Sequence, residues 1–154
     1  MINIENYNKI LIAILMTCCL LVQASEGRDT FSETEIVALT LLGEARGEGD
    51  IGMYVVACVI KQRSMERDLS LSEVCLQRKQ FSCWNGKKDL GYLFKSSSAP
   101  YAIRLSRYLI GGGDVQREYI NYANHYCTLK TNPYWAKGKK PTKTVGNHKF
   151  FKLK

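Results

Sequence analysis

The sequence predicts an α+β domain, with helices first and a small antiparallel sheet near the C-terminus. Three observations carry that expectation. Apolar residues recur at helical spacing between Ile36 and Ile60. Two Ser-x-x-Glu boxes, Ser32 with Glu35 and Ser70 with Glu73, mark helix starts. Past Glu118 the chain becomes rich in tyrosine, phenylalanine and β-branched residues, the composition of strands. At 154 residues and 45% hydrophobic content, the chain can build one real core and is too apolar to be disordered throughout.

The first segment stands apart. "MINIENYNK" is polar, residues 10–22 are an unbroken apolar run, and Ala24 and Ser25 are small. That order reads as a secretory leader cut near Ala24, which leaves a single domain over residues 25–154. A retained anchor, a lipid-modified Cys18 and a buried helix are the alternatives. The run is shorter than the roughly 18 residues of a membrane-span candidate, and Thr17 suits a lipoprotein signal poorly. An exported protein meets an oxidising compartment. Four cysteines remain after cleavage: Cys58, Cys75, Cys83 and Cys127. Cys75 and Cys83 are near enough in sequence to close a small loop, and Cys58 sits in an apolar run as a buried thiol would. No CxxC pair suggests a zinc site.

The elements follow in order. Residues 32–47 predict a helix, with Ile36, Leu39 and Leu42 on one face and Gly47 and Gly49 as stops. Residues 52–65 predict a second helix with a wide apolar face. Residues 70–79 predict a short third helix, and residues 80–91 a loop turning at Asn85-Gly86. Residues 97–113 predict a fourth helix, with Pro100 in its first turn and Gly111 to Gly113 ending it. Residues 118–127 and 144–151 predict strands, joined by a long loop through Pro133 and Pro141.

Several chemistries lack their signatures. There is no phosphate loop, no GxGxxG and no GxSxG elbow. The excess of 22 basic over 14 acidic residues gives +8, which points to an anionic partner or a plain solvated basic surface. The carboxylates of "LLGEARGEGD" draw most interest. Glu44 follows an apolar run, where burial holds an acid protonated, as a glycosidase needs. Gly43 before it leaves space for a substrate. Glu48 lies four residues on, and Arg46 is placed to bind a substrate carboxylate or to pair with Glu48 or Asp50. A charged helix end is the plain alternative.

The blocks "LTLLGEARGEGDIGMYVVACVIKQRS", "QFSCW", "ANHYC", "PYWA" and "TVGNHKFF" occur in that order, over about residues 33–151. Together they resemble the SleB/CwlJ cell wall hydrolase family. The resemblance implies a lysozyme-like α+β fold and an exported enzyme that cleaves peptidoglycan strands, between N-acetylmuramic acid and N-acetylglucosamine, as a lytic transglycosylase. It implies Glu44 as the one catalytic acid and base. It implies a substrate cleft drawing on Arg46, Glu48, Gln80, Ser82, Trp84, His125, Tyr126 and Trp135. Gln80 and Ser82 suit hydrogen bonds to sugar amides and hydroxyls; Trp84, Tyr134 and Trp135 offer stacking faces. Gln62, Cys127 and Phe151 depart from the residues usual at their places.

The expected partner is peptidoglycan, met by a monomer in the periplasm, cell envelope or outside the cell. No nucleic acid, cofactor, metal or lasting membrane insertion is expected. Two other functions remain open. One is an N-acetylmuramoyl-L-alanine amidase, with His125 and His148 as metal ligands; the other is a non-catalytic basic wall-binding module.

Overall fold

The computed structural model describes residues 31–86 and 89–154, and the leader expected at residues 1–24 lies outside them. Among these described residues four α-helices come first: α1 (Glu33–Ala45), α2 (Gly49–Arg67), α3 (Leu71–Leu76) and α4 (Ala99–Ile110). Three strands follow: β1 (His125–Thr128), β2 (Lys143–Val145) and β3 (His148–Phe151). The α+β expectation holds. Among the described residues no helix is long and apolar enough to cross a membrane.

Both capping boxes form as read. The Ser32 hydroxyl accepts from the Glu35 N–H, and the Glu35 carboxylate accepts from the Ser32 N–H at 2.7 Å. Ser70 and Glu73 repeat the arrangement at α3. Such a cap stabilises a helix by about 1 kcal/mol. The serine donors hold the carboxyls of Glu35 and Glu73 below the ordinary value.

α1 is the centre of the fold. Every residue from Ile36 to Leu42 is buried, so this helix is enclosed rather than one-sided. α2, α3 and α4 all pack on it. α2 is enclosed too from Val55 to Ile60, with Arg63 and Gln62 buried one turn further on. Each aliphatic side chain so enclosed stabilises the fold by roughly 1.5–3 kcal/mol. α4 keeps the one-sided pattern, burying Ala102, Leu105 and Leu109.

The join between α1 and α2 is tight. α1 ends at Ala45, a 3₁₀ turn covers Arg46–Glu48, and α2 begins at Gly49, three residues before the predicted start. Arg46 closes α1: its backbone N–H donates to the Leu42 carbonyl, and its Nη1 donates to the same oxygen at 3.2 Å. A cation there also suits the negative end of the helix.

The sheet has order β1-β3-β2, all antiparallel. Its boundaries correct two expectations. Residues 118–127 are not one strand. Arg117–Ile120 form a 3₁₀ turn, and Asn121 and Tyr122 take φ of 52° and 56°, a conformation no strand permits. The strand starts only at His125. Residues 144–151 are not one strand either. They belong to a hairpin that turns at Gly146-Asn147, with Val145 opposite His148. Gly146 has φ 53°, which favours glycine, and a Cβ there would lie 2.3 Å from Glu48 Oε2.

Cys58, Cys75, Cys83 and Cys127 are all free thiols, so the Cys75–Cys83 loop is not closed. Burial pushes the thiols of Cys58 and Cys75 up to about 12, and it raises that of Cys83 as well. They are inert packing groups at neutral pH.

Candidate active site

Glu44 sits in the last turn of α1, where the helical body meets the sheet. Its carboxylate is held from two sides. Oε1 accepts from Ser82 Oγ at 3.0 Å and from the Cys83 backbone N–H at 3.1 Å. Oε2 accepts from the Tyr126 hydroxyl at 2.8 Å. A carboxylate offers about four lone-pair sites. Oε1 is therefore full, and Oε2 keeps one site for a group that enters the cleft.

Each donor has a local cause. The Ser82–Trp84 turn is pinned to α1 by Trp84, whose Nε1 donates to Thr40 Oγ1 at 2.9 Å. Thr40 in turn donates to the Ile36 carbonyl at 2.7 Å. The turn can lie this close only because residue 43 is glycine. A Cβ at Gly43 would stand 2.5 Å from Cys83 Cβ and 3.0 Å from its Sγ. The space left by Gly43 is thus taken by Cys83, not kept for substrate. Tyr126 comes from β1, on the sheet face it shares with His148 and Phe150, and its ring meets that of His148 edge-on at 5.2 Å. Burial, and next the Glu44 carboxylate, push the Tyr126 phenol well above its ordinary value, so it stays a donor.

Two adjoining hollows share Gly43, Glu44, Thr128 and His148. One, of about 410 Å³, runs past Gln80, Ser82, Lys79 and Asn85. The other, of about 350 Å³, runs past Arg46, Gly47, Glu48 and Asn147. Glu44 thus stands where they join in a continuous groove. Gln80 is steadied by Arg67, whose Nη1 and Nη2 both donate to its Oε1 at 3.3 Å.

The other predicted residues separate. Arg46 and Glu48 line the second hollow. Glu48 is already engaged: it accepts from Asn147 Nδ2 at 2.8 Å and from the Asn147 N–H at 3.0 Å. Its side chain passes Gly52, where a Cβ would stand 2.1 Å from Glu48 Cβ. Glu48 therefore pins the β2–β3 turn to α2. The Asn147 bonds hold its carboxyl below the ordinary value. Trp84 lines neither hollow. His125 and Trp135 also lie away from Glu44. His125 and Phe151 share the opposite sheet face from Tyr126, and Trp135 packs on both, at 5.2 and 5.5 Å. The register puts His125 and His148 on opposite faces, so they cannot converge on one metal ion. Among the described residues no three His, Cys, Asp or Glu side chains come together to hold one. Burial, then Arg63 and Arg67, pull the His125 imidazole down to about 4, which keeps it neutral at neutral pH.

Residues outside the predicted set also line the groove: Arg63, Lys79, Asn85, Thr128, Thr131 and Asn147. Arg63 left a signal in the sequence as a cation on the apolar face of the second helix. The backbone N–H of Cys83 left none.

An open groove with a hydrogen-bonded carboxylate at its middle suits acid–base chemistry on an extended substrate. The comparisons agree with that reading. The family model described as Cell Wall Hydrolase matches residues 47–151, well over half the chain. The chain belongs to this family, the SleB/CwlJ-type cell wall hydrolases, and is a peptidoglycan-degrading hydrolase. The match begins just after Glu44, so the case for that residue rests on its geometry. No curated protein matches, and no solved structure matches.

Proposed function

We propose that the protein is exported by its N-terminal leader and cleaves the glycan strand of peptidoglycan as a lytic transglycosylase, with Glu44 as general acid and then base. The observation that carries this reading is the single carboxylate at the junction of two hollows, with one lone-pair site of Oε2 unused. A strand laid through both hollows brings its glycosidic oxygen to Oε2. Protonated Oε2 gives its proton to that oxygen as the bond to muramyl C1 breaks. The same oxygen then takes the proton of the muramyl C6 hydroxyl, whose oxygen bonds to C1 and closes a 1,6-anhydro ring. Every proton is returned and no water is consumed. The Tyr126, Ser82 and Cys83 donors hold the carboxylate in one pose through both steps.

A two-carboxylate hydrolysis needs a second free acid across the bond. Glu48, the other carboxylate of the groove, is bound through each oxygen to Asn147 and so holds the β2–β3 turn. That favours the one-carboxylate route.

The test is product analysis by mass spectrometry after digestion of purified sacculi. Anhydromuropeptides are expected, and Glu44→Gln lowers their rate of release by roughly 10²–10⁴-fold. Full activity in Glu44→Gln sinks the assignment. Newly exposed alanine amines without glycan cleavage identify an amidase. Retention on sacculi with no soluble product identifies a binding module.

A further inference from the structure

We propose that the hollow on the Gln80 side is an anion subsite, in which Arg63 and Lys79 receive the carboxylate carried on the C3 substituent of a muramyl residue. The proposal rests on the glycan-strand reading above and adds to it the direction in which the strand lies.

Arg63 is the first ground. It is only 4% exposed, and no carboxylate forms a direct ion pair with it; Glu44, on the same hollow, is the acid whose charge it feels. Among the described residues the one ion pair is Arg117 with Asp114, at 3.8 Å. Arg63 Nε donates to the Asn124 carbonyl at 2.7 Å, and the guanidinium lies 5.2 Å over the Phe81 ring. Its Nη1 is buried with no partner at all. Burial lowers the guanidinium to about 10, so the group is still a cation at neutral pH. A buried cation with an unused donor is costly unless something supplies the missing acceptor. Arg63 lines this hollow, and among the described residues its Nη1 meets no acceptor.

Lys79 is the second ground. It lines the same hollow, is exposed, and holds φ of 62°. Lysine seldom takes that left-handed conformation, and strained backbone gathers at ligand clamps.

The third ground is contrast. The Gln80-side hollow sets two cations against Glu44, whereas the other sets Arg46 against Glu44 and Glu48. Of the two sugars of the strand, only the muramyl residue carries an acid-bearing substituent. The cationic hollow therefore takes that residue, and the acidic hollow takes the neutral N-acetylglucosamine.

The carboxylate has two sources: the lactyl group of a bare strand, or the first acid of an attached peptide. The Glu44→Gln protein, chosen because its turnover is expected to be slow, is titrated calorimetrically with three tetrasaccharides. One has free lactyl carboxylates, one has them as methyl amides, and one carries stem peptides. The free acid is expected to bind about tenfold more tightly than the amide at low salt, with the gap closing as salt screens the charges. Lys79→Asn, which tolerates the left-handed backbone, shrinks the gap; Arg63→Lys tests the guanidinium. A peptide-bearing ligand as tight as the free acid assigns the peptide carboxylate; one as weak as the amide assigns the lactyl group. Equal binding of acid and amide overturns the subsite. Failure of all three ligands overturns it as well. The glycan-strand reading falls with it only if the wild-type protein also releases no glycan product from sacculi.

Discussion

Gly43→Ala tests whether the Ser82–Trp84 turn sets the working pose of Glu44. The added Cβ would stand 2.5 Å from Cys83 Cβ and 3.0 Å from Cys83 Sγ. Unstrained carbon contacts lie near 3.5–4.0 Å, so the turn must retreat by about 1 Å. Ser82 Oγ and the Cys83 N–H now stand 3.0 and 3.1 Å from Oε1. The same retreat carries both to about 4 Å, beyond hydrogen-bond range. Misplacing a reacting group by that much costs on the order of 10²-fold in kcat. Overpacking lowers stability by about 1–3 kcal/mol, a few degrees in Tm for a domain of this size. The assay is paired: steady-state release of glycan products, and a thermal melt of the same sample. If Tm falls as expected while kcat stays within about threefold of wild type, the pose of Glu44 does not depend on this turn.

Three further outcomes are expected. Tyr126→Phe removes the hydroxyl on Oε2 and lowers kcat by about 10–100-fold, from the roughly 1.5–3 kcal/mol of a hydrogen bond to a charged group; an unchanged kcat in kinetic assays counts against the tyrosine as a positioning residue. The Glu48 carboxyl is depressed by Asn147, so its stabilising contribution is present above the ordinary carboxylate value and is lost as pH falls through the folded one. Melts of Glu48→Gln across acidic pH should show a shallower fall in Tm than wild type, and parallel curves would refute the link. His125 is depressed to about 4, so its unfolded form binds the proton first. Stability from this group is full above about 6.5 and lost progressively as pH falls toward 4, and His125→Gln removes that part of the dependence in chemical denaturation.

The helical half was legible because its signals are local. A capping box spans four residues, and Ser32 and Ser70 both start helices where read. Pro100 and Gly111 bracket α4 as expected. The sheet was less legible. Tyrosines between residues 119 and 126 suggest a strand, yet Tyr119 and Tyr122 are exposed and lie under cations, Lys143 over the first and Lys152 over the second. Aromatic residues at a basic surface and aromatic residues in a strand look alike in one dimension. The Gly146-Asn147 pair is itself a hairpin signal, but it sits inside a longer β-branched and aromatic stretch that reads as one strand.

The sequence by itself determined the α+β class, the helix starts, the family resemblance and Glu44 as the residue to examine. Tertiary structure alone decided what surrounds Glu44. Ser82, Cys83 and Tyr126 lie 38, 39 and 82 residues away along the chain. It also separated the predicted cleft residues, because alternation in β1 turns Tyr126 toward Glu44 and His125 away from it, onto Trp135. Periodicity reveals which residues share a face. Only the packing of α1 against a distant turn and strand reveals which face meets the carboxylate.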